Sequence, residues 1–101
     1  MADTNVIIFA SLTPRPGKEA DLEALLRGMC QPSRAEAGCV TYNLFRKVDG
    51  GGYHFFEIWN GQADIDAHRL EPHYKDFRAR LGDLTEGPPQ PLFLERVDST
   101  I

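Results

Sequence analysis

The sequence predicts an α+β protein of the ferredoxin-like class, in which a four-stranded antiparallel sheet has its helices on one face. Three observations predict it. Four short segments are rich in β-branched and aromatic residues, two amphipathic segments separate them in a βαββαβ order, and Gly- and Pro-rich stretches punctuate the chain. At 101 residues, we interpret positions 1–101 as a single domain with its core over about 5–97.

The first strand is predicted over Asn5–Leu12, where apolar residues at consecutive positions indicate that both faces are covered. A helix is predicted to begin near Lys18. Its apolar positions recur at i, i+3, i+4 and i+7 as Leu22, Leu25, Leu26 and Met29. We expect Pro32 to kink or end this helix and to leave a short second piece through Glu36, because proline removes a helical hydrogen bond.

The next two strands are predicted as a hairpin. They span Cys39–Val48 and Tyr53–Trp59, and the glycine-rich segment 49–52 joins them. Alternation along the third strand divides its side chains between two faces. One face has Tyr53, Phe55, Glu57 and Trp59, and the other has His54, Phe56 and Ile58.

The second helical region is predicted in two parts. Asn60 is a candidate N-cap for a short helix that includes His68, and Pro72 suits the first position of the next helix. The Pro-rich stretch 85–91 is expected to be a loop outside any helix or strand, and Leu92–Val97 is the predicted last strand.

Composition excludes several classes of function. The chain has 15 acidic and 11 basic residues, with a net charge of −4 and no basic run, so no nucleic-acid partner is expected. The N-terminal residues do not resemble a signal peptide, and the longest apolar run, Val6–Ala10, is too short to span a membrane. Cys30 and Cys39 lack disulfide or metal spacing. We therefore expect free thiols, a cytoplasmic location and no membrane partner.

The strands also predict self-association. The first and third strands have large apolar side chains on both faces, yet two helical regions can cover only one face of the sheet. Soluble monomers rarely expose a large apolar patch, and two-fold pairing is the commonest assembly. We therefore predict a homodimer that packs sheet face to sheet face.

Three groups of residues resemble the antibiotic biosynthesis monooxygenase family. They are Glu36-Ala37-Gly38-Cys39 with Thr41-Tyr42, Phe56-Glu57-Ile58-Trp59, and Ala67-His68 with Pro72-His73-Tyr74. The resemblance extends over about Val6–Val97 and implies the dimeric α+β barrel fold. It also implies a cofactor-independent monooxygenase that oxidises a quinol or phenolic aromatic molecule with O2, without a bound metal. Relatives include haem-degrading proteins and an isomerase of a small phosphorylated sugar-derived signal.

The candidate site lies where the third strand meets the following helices. His68 and His73 are candidate catalytic bases, because an imidazole titrates near neutrality and can accept a phenolic proton. We expect both on the wall of a pocket near Trp59, between helices and sheet. The candidate substrate-binding residues are Glu57, Trp59, Phe55, Tyr74 and Tyr42. Each has a purely structural alternative, in core packing or in a satisfied hydrogen bond.

Several alternatives stay open. Phe55 stands where polyketide-tailoring members have Asn, and His68 stands near the helical Trp of haem-degrading members, which disfavours both of those activities. A metal site from His68, His73 and Glu57 is disfavoured because the two histidines are five residues apart, although Pro72 between them interrupts the helix. A non-catalytic, stress-associated dimer and an isomerase or lyase of a small metabolite are the competing functions, so enzymatic activity itself is undecided by the sequence.

Overall fold

The computed structural model of this chain describes residues 4–101. The elements within that range are β1 Val6–Leu12, α1 Glu19–Arg34, β2 Cys39–Arg46, β3 Tyr53–Trp59, α2 Gln62–His68, α3 Pro72–Leu81 and β4 Gln90–Leu94. The strands form one sheet in the order β2-β3-β1-β4, and every neighbouring pair is antiparallel. The predicted ferredoxin-like α+β class is therefore confirmed.

The register of β1 and β3 determines which side chains reach the helices. Ile8 lies opposite Glu57 and Ala10 opposite Phe55, and these positions point into the core beneath the helices. The core combines them with the predicted apolar face of α1 and with residues of α2 and α3. Its members include Leu22, Leu25, Leu26, Met29, Tyr42, Trp59, Ile65, Phe77 and Leu81.

The expected end of the helix at Pro32, with a short second piece through Glu36, is wrong, because α1 continues through Pro32 to Arg34. Pro32 lies in the last turn of the helix, where it removes only one hydrogen bond, and the N–H of Ala35 still donates to the carbonyl of Gln31. Glu36 therefore belongs to the turn that follows α1 rather than to a second helical piece.

The turn after α1 is tied closely to the start of α2. The N–H of Asn60 donates to the carbonyl of Gly38 at 2.9 Å. A Cβ atom added to Gly38 would lie 2.1 Å from the Asp64 side chain, so only glycine fits this approach. The predicted N-cap at Asn60 is wrong, since Gly61 occupies the cap position.

The bounds of three strands also differ from expectation, and β1 begins at Val6 rather than Asn5. β2 ends at Arg46 rather than Val48, and β4 spans Gln90–Leu94 rather than Leu92–Val97. Pro91 therefore lies inside a strand, which the sequence argument excluded. The reason is that β4 pairs only with β1 at the edge of the sheet, where the missing N–H of proline needs no partner. α3 begins at Pro72, as predicted.

The sheet face opposite the helices retains apolar surface. Phe45 is 53% exposed and Leu92 58% exposed, and both lie on this face together with His54. His54 stacks on Phe9 with ring centroids 4.8 Å apart, and Ser11 Oγ lies 3.0 Å from its Nδ1. None of the helices within residues 4–101 has the length and apolar character needed to cross a membrane.

Candidate functional site

A cavity of about 230 Å³ lies between the helices and the sheet. Aliphatic side chains of β1 form one wall, and the aromatic rings of Tyr42, Phe55, Tyr74 and Phe77 form much of the rest. Glu57 and His68 supply the polar groups inside it. The cavity is therefore mainly apolar with a few convergent polar groups, which is typical of a small-molecule site.

His68 ends α2 and is only 4% exposed. Its ring packs against Trp59 at 4.6 Å and against Tyr74 at 5.0 Å between centroids. Burial lowers the pKa of His68 below its ordinary value, and the neighbouring Glu36 carboxylate partly opposes this effect. The imidazole is therefore neutral at neutral pH.

One nitrogen of His68 is engaged and the other is available. Nδ1 lies 2.6 Å from Glu36 Oε2, so the neutral ring donates through Nδ1–H and leaves Nε2 as the acceptor. Within residues 4–101, Nε2 has no hydrogen-bond partner. It also keeps some solvent-accessible surface. His68 lines the cavity, and Nε2 is its nitrogen that has no partner within residues 4–101.

Glu36 joins both candidate histidines. Its Oε2 lies 2.6 Å from His68 Nδ1 and 2.9 Å from His73 Nε2, and its side chain is 11% exposed. These groups come from the turn after α1, the end of α2 and the first turn of α3. The sequence argument gave Glu36 no role. Its position as the first residue of the Glu-Ala-Gly-Cys motif is the sequence feature that could have identified it as a site residue.

His73 lies outside the cavity. It lines a separate depression between α1 and α3, together with Met29 and Arg80. The expectation that both imidazoles share one pocket wall is wrong, because α3 packs on α1 and presents the first turn of α3 to that helix. His73 reaches the cavity only indirectly, through Glu36 and His68.

Glu57 and Trp59 form a buried pair. Glu57 is 8% exposed and lines the cavity, whereas Trp59 is 0% exposed and lies behind it. The indole Nε1–H of Trp59 donates to Glu57 Oε1 at 2.9 Å. Burial raises the pKa of the Glu57 carboxyl above its ordinary value, and the bond from Trp59 opposes that rise. Trp59 thus positions Glu57 and His68 rather than lining the predicted pocket itself.

The remaining predicted binding residues, Tyr42, Phe55 and Tyr74, do line the cavity. Burial, reinforced by the charge of Glu57, raises the pKa of Tyr42, so that this side chain is a neutral phenol. Its ring lies 4.9 Å from that of Phe55. These rings give the cavity an aromatic lining.

Two guanidinium groups complete the lining. Arg69 and Arg78 are exposed residues that border the cavity from the helical side, and the sequence argument singled out neither. Neither side chain has a hydrogen-bond or ion-pair partner in the part of the chain that the structure describes. Their positive charge favours a ligand that develops negative charge inside the cavity.

Comparison with known proteins shows a family match and related sequences. The family model for antibiotic biosynthesis monooxygenase matches residues 5–80. "Putative monooxygenase Rv0793" of Mycobacterium tuberculosis is 41% identical over 83 residues, which cover 82% of each chain. "Putative monooxygenase YcnE" of Bacillus subtilis is 27% identical over 84 residues, which cover 82% of this chain and 88% of that protein.

The solved structures show the same fold. The structure of Rv0793 superimposes with a TM-score of 0.90 at 37% identity and covers 96% of this chain and 99% of that one. PA3566 of Pseudomonas aeruginosa superimposes with a TM-score of 0.88 at 30% identity, over 94% of this chain and 96% of that one.

Proposed function

Because this chain belongs to the antibiotic biosynthesis monooxygenase family, we propose that it is a cofactor-independent monooxygenase that oxidises a small quinol or phenolic molecule with O2. One observation supports this most strongly. A buried, neutral imidazole, His68, lines an aromatic cavity, with Nδ1 held by Glu36 and Nε2 without a hydrogen bond within residues 4–101. That is the arrangement of a general base with its positioning carboxylate.

In this proposal His68 removes the phenolic proton of the substrate. Its Nε2 accepts the proton, and the Glu36 carboxylate stabilises the imidazolium that forms. The phenolate is a far better electron donor than the phenol, so deprotonation begins the reaction with oxygen. Glu57 lines the cavity, and its Oε2 accepts a hydrogen bond from a second substrate hydroxyl.

The electrons balance without an added reductant. The phenolate passes one electron to O2, and the resulting phenoxyl radical and superoxide combine at a ring carbon to form a C–O bond. The peroxide takes the proton back from His68. Its O–O bond then breaks as the ring C–H proton leaves, which gives a new carbonyl and one water. For a hydroquinone, the net reaction converts hydroquinone and O2 into hydroxyquinone and H2O.

The dimensions of the site support a small substrate. Its volume of about 230 Å³ is below the roughly 300–1,000 Å³ of pockets for drug-sized ligands. Tyr42, Phe55 and Tyr74 hold the ring, and their aromatic surfaces shield the radical pair from water. Arg69 and Arg78 favour the phenolate over the phenol.

We also propose that the protein works as a homodimer whose sheets face each other. The exposed side chains of Phe45 and Leu92 on the sheet face without helices support this assembly, because a second copy would bury them. The helix-covered cavity lies on the other side of the sheet, so the two copies do not obstruct it.

The cysteines support a cytoplasmic location. Cys30 and Cys39 are both free. Burial, with the negative charge of Glu36 and Glu57, raises the pKa of Cys39 to about 11, so its thiol stays protonated and weakly reactive. Such thiols suit a reducing compartment.

Oxygen uptake tests the proposed activity. Metal-depleted protein is mixed with a panel of one-ring and two-ring hydroquinones in an oxygen electrode, and the rate is compared with autoxidation. We expect stoichiometric O2 consumption for at least one substrate. His68→Ala should lower turnover by roughly 10²–10⁴-fold, the usual effect of a general base.

His54→Ala is the matched control, because it removes an imidazole from the opposite sheet face and should keep the full rate. A rate no higher than autoxidation across the panel would refute the proposal. Equal losses in the His68 and His54 variants would refute the role of His68.

A further inference from the structure

We propose that Glu36, His68 and His73 bind a divalent transition-metal ion, with Zn²⁺ as the best fit. The three residues come from three separate segments, yet one ligand atom of each lies within 4.8 Å of the other two. Glu57, the carboxylate that the sequence argument considered for a metal, is not part of this group.

The donor set matches the chemistry of zinc. Two imidazoles and one carboxylate form a common three-ligand zinc site, in which the fourth position holds water or another small ligand. Both histidines reach the site because Pro72 starts a new helix between them. Their separation by five residues would otherwise place them on different helix faces.

The spacing requires only a small adjustment. Glu36 Oε2 lies 2.6 Å from His68 Nδ1 and 2.9 Å from His73 Nε2. Around a tetrahedral zinc with bonds of about 2.0–2.1 Å, ligand atoms lie about 3.4 Å apart. Glu36 Oε2 must therefore withdraw by less than about 1 Å, and the two histidine nitrogens, which lie within 4.8 Å of each other, must approach by up to about 1.4 Å. Its flexible side chain follows a helix end rather than lying within the helix, which permits that movement.

The partly exposed side of the cluster provides access. The side chain of His73 is 19% exposed and opens onto the depression between α1 and α3, away from the aromatic cavity. A metal ion can therefore enter from solvent without passing the substrate site. It would join the turn after α1 to the ends of α2 and α3.

Metal binding and the proposed oxygenase activity both involve His68, but they can be measured separately. The ion would bind Nδ1, so the neutral ring would carry its proton on Nε2 and could not accept one from the substrate. No step of the proposed reaction uses the ion, and the metal-depleted protein is the form that would carry it out. One claim can fail while the other holds.

Isothermal titration of chelator-treated full-length protein with Zn²⁺ tests the inference. We expect one ion per chain with a Kd below about 10 μM. Glu36→Gln and His73→Gln should each weaken binding more than tenfold, because loss of a direct ligand exceeds the 10–100-fold cost typical of outer partners. His54→Gln is the matched control and should bind as tightly as the parent.

Co²⁺ provides a second measurement that does not depend on activity. The parent protein should show the visible absorption bands of four- or five-coordinate cobalt, and His73→Gln should lose them while its far-ultraviolet circular dichroism is unchanged. A Kd weaker than 10 μM, or equal binding by the parent and His73→Gln, would overturn the metal site. Neither result would change the expected oxygen uptake by the metal-depleted parent protein.

Discussion

Trp59→Phe removes the indole N–H that Glu57 accepts, and it should destabilise the protein in a pH-dependent way. The bond is 2.9 Å long, and both residues are buried. Phenylalanine retains most of the packing but leaves one carboxylate oxygen without its donor. A hydrogen bond to a charged group contributes about 1.5–3 kcal/mol, so we expect a loss of about that size at pH 7, plus a smaller packing term.

The pH dependence follows from Glu57. Burial raises its folded-state pKa, and Trp59 opposes that rise, so removal of the indole raises this pKa further. Between the ordinary value and the raised value, the folded state binds more protons than the unfolded state. Stability from this group is thus lost as pH rises through that window. The deficit of Trp59→Phe should be largest at neutral pH and smaller near pH 4.5.

Urea unfolding at a fixed chain concentration, followed by far-ultraviolet circular dichroism, measures the deficit. Fluorescence is unsuitable because Trp59 is the only tryptophan in the chain. Glu57→Gln is the matched control, since its amide oxygen still accepts the indole bond but does not titrate. Trp59→Phe made on the Glu57→Gln background should lose the pH dependence. A deficit below about 0.5 kcal/mol, or one equal at both pH values, would refute the reasoning.

Three further predictions concern packing, assembly and specificity. Gly38→Ala should destabilise the protein by about 1–3 kcal/mol, because its Cβ would overlap the Asp64 side chain; an unchanged urea midpoint would contradict this. Phe56→Asp, on the sheet face without helices, should halve the mass seen by light scattering at micromolar concentration, and a persisting dimer would count against the proposed interface. Arg78→Gln should raise KM up to about fivefold for a hydroquinone that bears a carboxylate, with no change for a neutral one, whereas equal changes would rule out a charge effect.

Local patterns predicted most of the fold. The helical spacing of apolar residues located α1, and the alternation along Tyr53–Trp59 placed Glu57 on the helix-covered face. The errors arose where position within an element overrides residue propensity. Pro32 is tolerated because it lies in the last turn of a helix, and Pro91 because its strand lies at the edge of the sheet.

The candidate site was predictable only in part. His68 follows β3 closely along the chain, so its position near the cavity follows from the fold-back of α2 over the sheet. Glu36 is 32 positions from His68 and 37 from His73. No local periodicity connects residues on separate turns. Their convergence depends on the close approach at Gly38, which only the packed structure reveals.

The most direct test of the proposed oxygenase is isotope labelling with ¹⁸O2. Metal-depleted protein is given the hydroquinone that it consumes fastest, the reaction is quenched at once, and the product is analysed by mass spectrometry beside a His68→Ala sample. The proposal predicts a hydroxyquinone with one ¹⁸O atom, labelled water and no hydrogen peroxide, with the labelled product nearly absent from the variant. An unlabelled quinone formed with stoichiometric hydrogen peroxide would contradict it, because O2 would then have acted only as an electron acceptor.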